Sequence, residues 1–259
     1  MSALTARIAG IGFWSDGLPD WAAARAYAMS GVLPAEAPAR PAPALLAPNE
    51  RRRAPPSVLV ALEVALAACR DAGIAADTLP SVFTSTHGDL GITDYMCATL
   101  ATAPGELSPT KFHNSVHNAA AGYWTIGAGC MKTTTAISAH RASFAQGLVE
   151  AMTQLATDAQ AVLLVGYDTA ASGLLGTVTR SEGLLGAALV LVREGRGPRL
   201  SARLADGEAE PGTGALALRA RANAMAPMLP LFDALAAGDA AVGLHAGPGR
   251  RLLLDIDHG

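Results

Sequence analysis

The sequence has little charge, few aromatic residues and only three cysteines. Charged residues make up 16% of its 259 positions, and aromatic residues make up 5%. The net charge of −3 provides no basic surface for nucleic acid, so we expect no nucleic-acid partner. The cysteines Cys69, Cys97 and Cys130 are odd in number and lack CxxC spacing. A disulfide framework is therefore not expected, and we predict a reducing, cytoplasmic location.

Long apolar runs are also missing. The run from Ile8 to Trp14 is short, broken by glycines and followed by Asp16, so we predict neither a signal peptide nor a transmembrane segment. Hydrophobic residues still make up 51% of the chain, which suits a sizeable core. We expect residues 1–259 to form a single domain, with a short tail after about residue 195 whose elements the sequence assigns poorly.

Unbroken apolar strands alternate with helical segments along the chain. Strands are predicted over residues 5–14, 81–86, 133–138, 161–165, 184–192, 198–204 and 252–256. Helices are predicted over residues 21–29, 58–71, 91–101, 118–128 and 142–157, whereas 108–115 and the proline-rich connection through 51–53 are predicted as loops. This alternation predicts an α/β fold in which helices cover both faces of a sheet.

The segment TTAISAHRASF at residues 134–144 is the most informative part of the chain. A strand that enters a helix through a tight turn is how many enzymes present a nucleophile. We place Arg141 at the apex of this turn, where a guanidinium that stays protonated cannot attack a carbonyl. No neighbouring sequence marks Ser138 or Ser143 as an activated nucleophile. Arg141 is expected to be partly buried, and then to need a carboxylate or carbonyl partner.

Histidines and arginines elsewhere have alternative interpretations. His113 and His117 would share one helix face, as in zinc sites, but no glutamate follows the first histidine and no third ligand is placed, so no metal is expected. The triplet HGD at 87–89 follows a predicted strand, where α/β sites gather, although a polar turn explains it too. The arginines at 51–53 suit either an acidic carrier protein or a solvated basic loop.

Four of these motifs, in this order, resemble those of the β-ketoacyl synthases, which have the thiolase fold. The helix motif NAAAG at 118–122 resembles their Asn-x-x-Ala-Gly, and ISAHRAS at 137–143 resembles their Cys-containing elbow. The segments AVLLVGYD at 161–168 and GLLGAALVLV at 183–192 resemble two following strands. The resemblance covers residues 5–195 and implies a thiolase-like α/β domain, the N-terminal half of a synthase, with a mixed sheet layered by helices.

The resemblance also implies what the chain does. It places the family's nucleophilic cysteine at Arg141, and only 67 residues follow Val192, so we expect the half that carries the family's two active-site histidines to be mostly absent. The segment LSPTKFHNSVHNAAAGYW at 107–124 is similar to the short chain length factors of bacterial aryl polyene clusters. A non-catalytic subunit is therefore implied, one that pairs with an active ketosynthase in aryl polyene or polyketide (fatty-acid-like) chain elongation and bounds the acyl tunnel. It would have no cofactor of its own and would act through its partner with phosphopantetheinyl acyl carrier protein.

The resemblance assigns candidate residues to two sites. No residue is catalytic, and the elbow and tunnel candidates are Ser138, His140, Arg141 and Ser143. The candidates for the partner interface are His113, His117, Asn118, Gly122, Tyr123, Trp124 and Thr135. An apolar surface left by the missing half would support association with a partner. The alternative is a stand-alone malonyl decarboxylase or thioester hydrolase that uses His87, His113 or His117 with Ser138.

Overall fold

A computed structural model describes residues 3–259 and contains an eight-stranded mixed sheet. The strands are β1 (Leu4–Ser15), β2 (Ser81–Thr84), β3 (Thr134–Ile137), β4 (Ala161–Asp168), β5 (Leu185–Val192), β6 (Arg199–Asp206), β7 (Ala241–Gly247) and β8 (Arg250–Asp257). Their order is β3-β2-β4-β5-β1-β6-β8-β7, in which β3, β2 and β4 are parallel and the other neighbours are antiparallel. The predicted mixed sheet layered by helices is confirmed.

Helices cover both faces of this sheet. They are α1 (Trp21–Ser30), α2 (Pro48–Arg53), α3 (Pro56–Ala72), α4 (Leu90–Thr102), α5 (Pro109–Asn114), α6 (Ala119–Ala128), α7 (Ser143–Thr157), α8 (Leu175–Val178), α9 (Ala215–Arg219) and α10 (Leu229–Ala237). One core layer joins α3 and α6 to the sheet, and the other joins α1, α7 and α10 to the opposite face. Because β4 and β5 are buried on both faces, they have the continuous apolar sequences that suggested strands.

Two glycines in β1 allow α3 to lie directly against the sheet. A Cβ at Gly10 or Gly12 would overlap the backbone of α3 at Ala68 or Val64. The helix itself is apolar around most of its circumference, as expected of a helix packed between a sheet and a further helix. It ends at Gly73, which has a φ of 66° and so accepts the left-handed conformation that closes the helix.

The tail after residue 195 is an integral part of the sheet. It supplies β6, β7 and β8 and the helix α10, whose residues Leu229, Leu231 and Phe232 are fully buried. The strands predicted at 198–204 and 252–256 are found, whereas β7 and α10 were missed. The tail therefore covers apolar surface that we had expected a missing half to leave exposed.

Two segments predicted as loops are helical. In α5, the Ser108 hydroxyl accepts a hydrogen bond from the Lys111 N–H and Pro109 occupies the first helical position. In α2, Pro48 occupies that position and the Glu50 carboxylate accepts from the Ala47 N–H at 3.1 Å. Both starts follow ordinary capping rules, and the short length of each helix hid them in the sequence.

Replacement of a core residue in the tail tests whether the tail is part of the cooperative fold. Phe232 contacts Phe13 and Phe144 with ring centroids 5.9 and 6.1 Å apart. Phe232→Ala should lower the free energy of unfolding in urea by about 3–5 kcal/mol because it leaves a cavity between β1 and α7. Leu218→Ala, at a side chain that is 54% exposed, is the control and should change little. A loss of stability no larger than that of Leu218→Ala would show that Phe232 and α10 do not contribute to the cooperative core.

Candidate functional site

The elbow, residues 134–143, joins β3 to α7 as predicted, but its apex is His140. Its φ of 51° is the only positive φ of a non-glycine residue within 3–259. This backbone conformation is uncommon for a residue with a Cβ and accompanies the sharp strand-to-helix turn that exposes a nucleophile in other folds. The prediction that placed Arg141 at the apex was therefore wrong by one residue, because the sequence letters do not reveal which residue takes the left-handed conformation.

Both serines of the elbow serve to fix its backbone. The buried Ser143 hydroxyl accepts from the Ala139 N–H at 2.9 Å and donates to the His140 carbonyl at 2.7 Å, which bridges the turn. The Ser138 hydroxyl donates to the Thr86 carbonyl at 2.9 Å and so ties the elbow to the end of β2. Since neither hydroxyl donates to an imidazole ring or a carboxylate, neither serine is arranged as an activated nucleophile.

Arg141 is exposed rather than partly buried. Its guanidinium makes no hydrogen bond or ion pair with another group in the described part of the chain, and it lies at the rim of an open cleft. The expectation that Arg141 is partly buried was therefore wrong, and of the two expected sources of a carboxylate or carbonyl partner, this fold or a partner subunit, the described part of the chain provides none. A guanidinium in contact with water has no desolvation cost that would require one.

A buried carboxylate joins the ends of β2 and β4 beneath the elbow. Asp168 accepts hydrogen bonds from the Ser85 hydroxyl at 2.6 Å and from the Thr86 N–H at 2.9 Å. Burial raises the pKa of Asp168 to about 6, despite the opposing effect of these donors. Sequence reasoning assigned Asp168 no role, although an acidic residue directly after an unbroken apolar strand was a usable signal.

The triplet at 87–89 lies beyond β2, as predicted. Gly88 has a φ of 68° and donates its N–H to the Ser85 hydroxyl at 2.8 Å. Asp89 accepts from Ser57 at 2.9 Å and caps α4 through the Ile92 N–H. His87 is half-buried, and burial, with repulsion from His140 and His117, lowers its pKa. The imidazole of His87 is therefore neutral at neutral pH.

An open cleft of about 760 Å³, here named the elbow cleft, lies beside these residues. Thr86, His87, His140 and Arg141 line it from the strand ends and the elbow, and residues 208–212, 221–224, 226 and 227 are among those that line it from the tail. Asn223 holds that part of the tail in place, since its side-chain amide donates to the Glu182 carbonyl at 2.9 Å. The volume is within the range of small-molecule sites.

The interface candidates lie on α5, α6 and β3 and, for His117 and Asn118, in the connection between the two helices, and they differ in accessibility. His113 and Asn118 are exposed, while Gly122, Tyr123 and Thr135 are half-buried. His117 is also half-buried, with Nε2 at 2.9 Å from the Ser85 carbonyl oxygen. The Trp124 side chain is fully buried against Phe83, so its assignment to the interface was wrong. An apolar residue on the inner side of α6 and one on the outer side look the same in sequence.

Large apolar side chains that sequence reasoning missed are exposed in the same region. Ile126 at the end of α6 is 82% exposed and Met131 before β3 is 95% exposed, while Phe112 and Val116 are exposed nearby in sequence. The neighbouring strand β3 lies at the edge of the sheet, so one side of its backbone has no strand beside it within residues 3–259. We call Phe112, Val116, Ile126, Met131 and the open edge of β3 the partner face.

Residues 3–259 contain no cluster of three or more potential metal-ligating side chains. Within the same range, the helices are too short or too polar to cross a bilayer.

Residues 21–248 match a family model described as the N-terminal domain of β-ketoacyl synthase. The chain has no match among curated proteins.

Solved structures share the fold. A chain in the complex of the ketosynthase ApeO with its chain length factor ApeC from Xenorhabdus doucetiae has a TM-score of 0.75 at 24% identity, covering 97% of this chain and 99% of that one. The ishigamide ketosynthase/chain length factor has a TM-score of 0.76 at 15% identity, covering 98% of this chain and 99% of that one. AntDE:AntF, a type II polyketide synthase acyl-carrier protein in complex with its ketosynthase, gives 0.73 at 13%, with full coverage of both chains. At these identities the likeness establishes the fold alone.

The buried carboxylate predicts a specific dependence of stability on pH. The pKa of Asp168 is raised from 3.8 to about 6 in the folded state, so its protonated form stabilises the fold. That contribution is present below about pH 4 and is lost as the pH rises through 6. The stability of the wild type relative to Asp168→Asn should therefore fall by about 2–3 kcal/mol between pH 4 and pH 7 in urea unfolding. Asp255→Asn, at an exposed carboxylate, is the control. A constant difference across this range would contradict the assignment.

Proposed function

Because this chain belongs to the β-ketoacyl synthase family, whose N-terminal domain model matches residues 21–248, we propose that it is a non-catalytic chain length factor. In this role it pairs with an active ketosynthase, performs no condensation itself and bounds the tunnel that holds the growing acyl chain. The substrates belong to aryl polyene or polyketide, fatty-acid-like, chain elongation. The pair uses phosphopantetheinyl acyl carrier protein, and this subunit has no cofactor of its own.

The observation that carries this proposal is an intact elbow without a thiol. The backbone retains the strained turn at His140, and Ser143 holds it, but no cysteine lies between 134 and 143. Cys69 and Cys97 lie in α3 and α4, and Cys130 precedes β3. A condensing enzyme of this family needs a thiolate to accept the acyl group, so the chain can contribute structure to condensation but not the nucleophile.

The partner face supports association with a ketosynthase. Ile126 and Met131 are 82% and 95% exposed on either side of the start of the segment that enters the edge strand β3, so a partner that pairs with β3 would bury apolar surface there. The open edge of β3 offers unpaired backbone groups to a strand of the partner. Two of the solved structures that share this fold are described as ketosynthases with chain length factors, which is the arrangement we propose here.

Two further features support the finer parts of the proposal. The segment at 107–124 resembles aryl polyene chain length factors, and one structural neighbour is an acyl-carrier protein complex. Arg52 and Arg53 are exposed on α2 and suit an acidic carrier protein. The three cysteines are unpaired within the described residues, which supports a reducing, cytoplasmic location.

Co-expression with the ketosynthase encoded alongside it tests the pairing. We expect a soluble heterodimer that buries more than about 2,000 Å², whereas the chain alone should aggregate or self-associate. Ile126→Glu should weaken the heterodimer at least about tenfold in analytical ultracentrifugation, because it places a charge in an apolar contact. Val32→Glu, at an apolar residue exposed outside the partner face, is the matched control. A well-behaved monomer with no affinity for the ketosynthase would refute the proposal.

Charge reversal on α2 tests the carrier-protein contact. The double change Arg52→Glu and Arg53→Glu should weaken binding of acyl carrier protein to the heterodimer, most clearly at low salt, where charge pairs are least screened. The matched control is Arg196→Glu with Arg199→Glu, which changes the net charge equally at two exposed positions, one before β6 and one at its first residue. If both double variants weaken binding to the same degree, the effect is one of net charge and α2 is not the contact.

A further inference from the structure

The imidazole ring of His87 lines the elbow cleft and makes no hydrogen bond within residues 3–259. Its backbone N–H is held by the Asp168 carboxylate at 3.4 Å, which fixes its position, while its imidazole faces the cleft without a hydrogen bond to any group of residues 3–259. A polar side chain that is half-buried and has no partner beside a cavity is available to a ligand.

The elbow brings a second imidazole and a guanidinium to the same cleft. His140 holds a strained backbone conformation that a glycine would adopt more easily, and the Ser143 hydroxyl maintains it. Arg141 follows it at the rim, exposed and without an internal partner. Strained backbone conformations cluster at active sites and ligand-binding sites.

We propose that the elbow cleft hydrolyses short acyl thioesters, with His87 as the general base for a water molecule. The water oxygen forms a bond to the carbonyl carbon while the His87 ring takes its proton, and the carbon–sulfur bond then breaks. His87 returns the proton to the departing thiolate, which leaves a carboxylic acid and a thiol. His140 and Arg141 donate hydrogen bonds to the carbonyl oxygen as negative charge develops on it.

The electrostatic surroundings fit a neutral base. Burial and the neighbouring rings of His140 and His117 lower the pKa of His87, so the imidazole is free to accept a proton at neutral pH. The other charged or titratable groups that line the cleft are Arg180, Glu182, Glu208, Glu210, Arg221 and His245. Glu208 lies 3.7 Å from His245 and accepts from the Gly249 N–H, so it is engaged away from His87.

The chain is non-catalytic with respect to condensation, for which the elbow has no thiol, and the hydrolysis is a separate activity of the same cleft. The choice of a thioester as substrate rests on the proposed function, since a subunit of a ketosynthase pair meets acyl thioesters. The hydrolysis uses only residues of this chain, so it can be measured on the soluble self-associated chain or on the heterodimer, and its failure is distinguishable from a failure to pair.

The test follows thiol release from the S-acetyl thioester of N-acetylcysteamine by the full chain. It is repeated on the chain in complex with a ketosynthase whose nucleophilic cysteine is changed to alanine. We expect saturable hydrolysis in both forms. His87→Gln should lower kcat/KM at least about tenfold, because loss of a general base commonly costs that much or more. His140→Asn, which tolerates the positive φ, should lower kcat with little change in KM.

Controls separate this mechanism from unspecific imidazole catalysis. His258→Gln removes an exposed histidine that contacts the Asp239 carbonyl and should leave the rate unchanged. Thermal unfolding checks that every variant is folded. A rate that rises linearly with substrate, or equal rates in the wild type, His87→Gln and His140→Asn, would overturn the proposal. A stable acyl adduct on His140 in mass spectrometry would overturn the role of water.

Discussion

The arrangement at the elbow depends on one buried carboxylate, Asp168. Its hydrogen bonds to Ser85 and Thr86 join the ends of β2 and β4, where three parallel strands reach the same edge of the sheet. Ser85 in turn accepts from Gly88 and offers its carbonyl to His117, so the turn beyond β2 and the helices of the partner face are fixed to the same point. Since an ion this deeply buried is costly unless it is well satisfied, these contacts leave the strand ends little freedom.

The elbow shows that a backbone built for a nucleophile can persist without one. Ser143 bridges the turn with two hydrogen bonds that involve only its hydroxyl and the backbone, so the conformation does not depend on the side chain at the apex. A histidine at 140 therefore occupies a position that the fold presents to the cleft. What chemistry remains is decided by the groups around that position, among which His87 is the unengaged base.

Side chains of one helix can belong either to the core or to the partner face, depending on which side of the helix they project from. On α6, Trp124 is fully buried against Phe83, while Ile126 two residues later is directed to solvent. On the other face of the sheet the tail buries apolar side chains. There α10 packs on the second core layer, and β6, β8 and β7 extend the sheet beneath it. The apolar side chains of the partner face are thus exposed by their direction on α5, on α6 and beside β3, although the core beneath them is complete.

Local sequence was enough to predict the sheet-and-helix class, the strands β1 to β6 and β8, the elbow and the absence of a thiol in it, because apolar periodicity and residue chemistry are local properties. The folded arrangement was needed to establish that His140 is the apex, that Arg141 is solvated, that Trp124 belongs to the core and that the tail completes the sheet. These outcomes depend on which side of each element meets another, and on hydrogen bonds between residues such as Ser85 and Asp168 that are 83 positions apart. Sequence periodicity carries no information about contacts at that range.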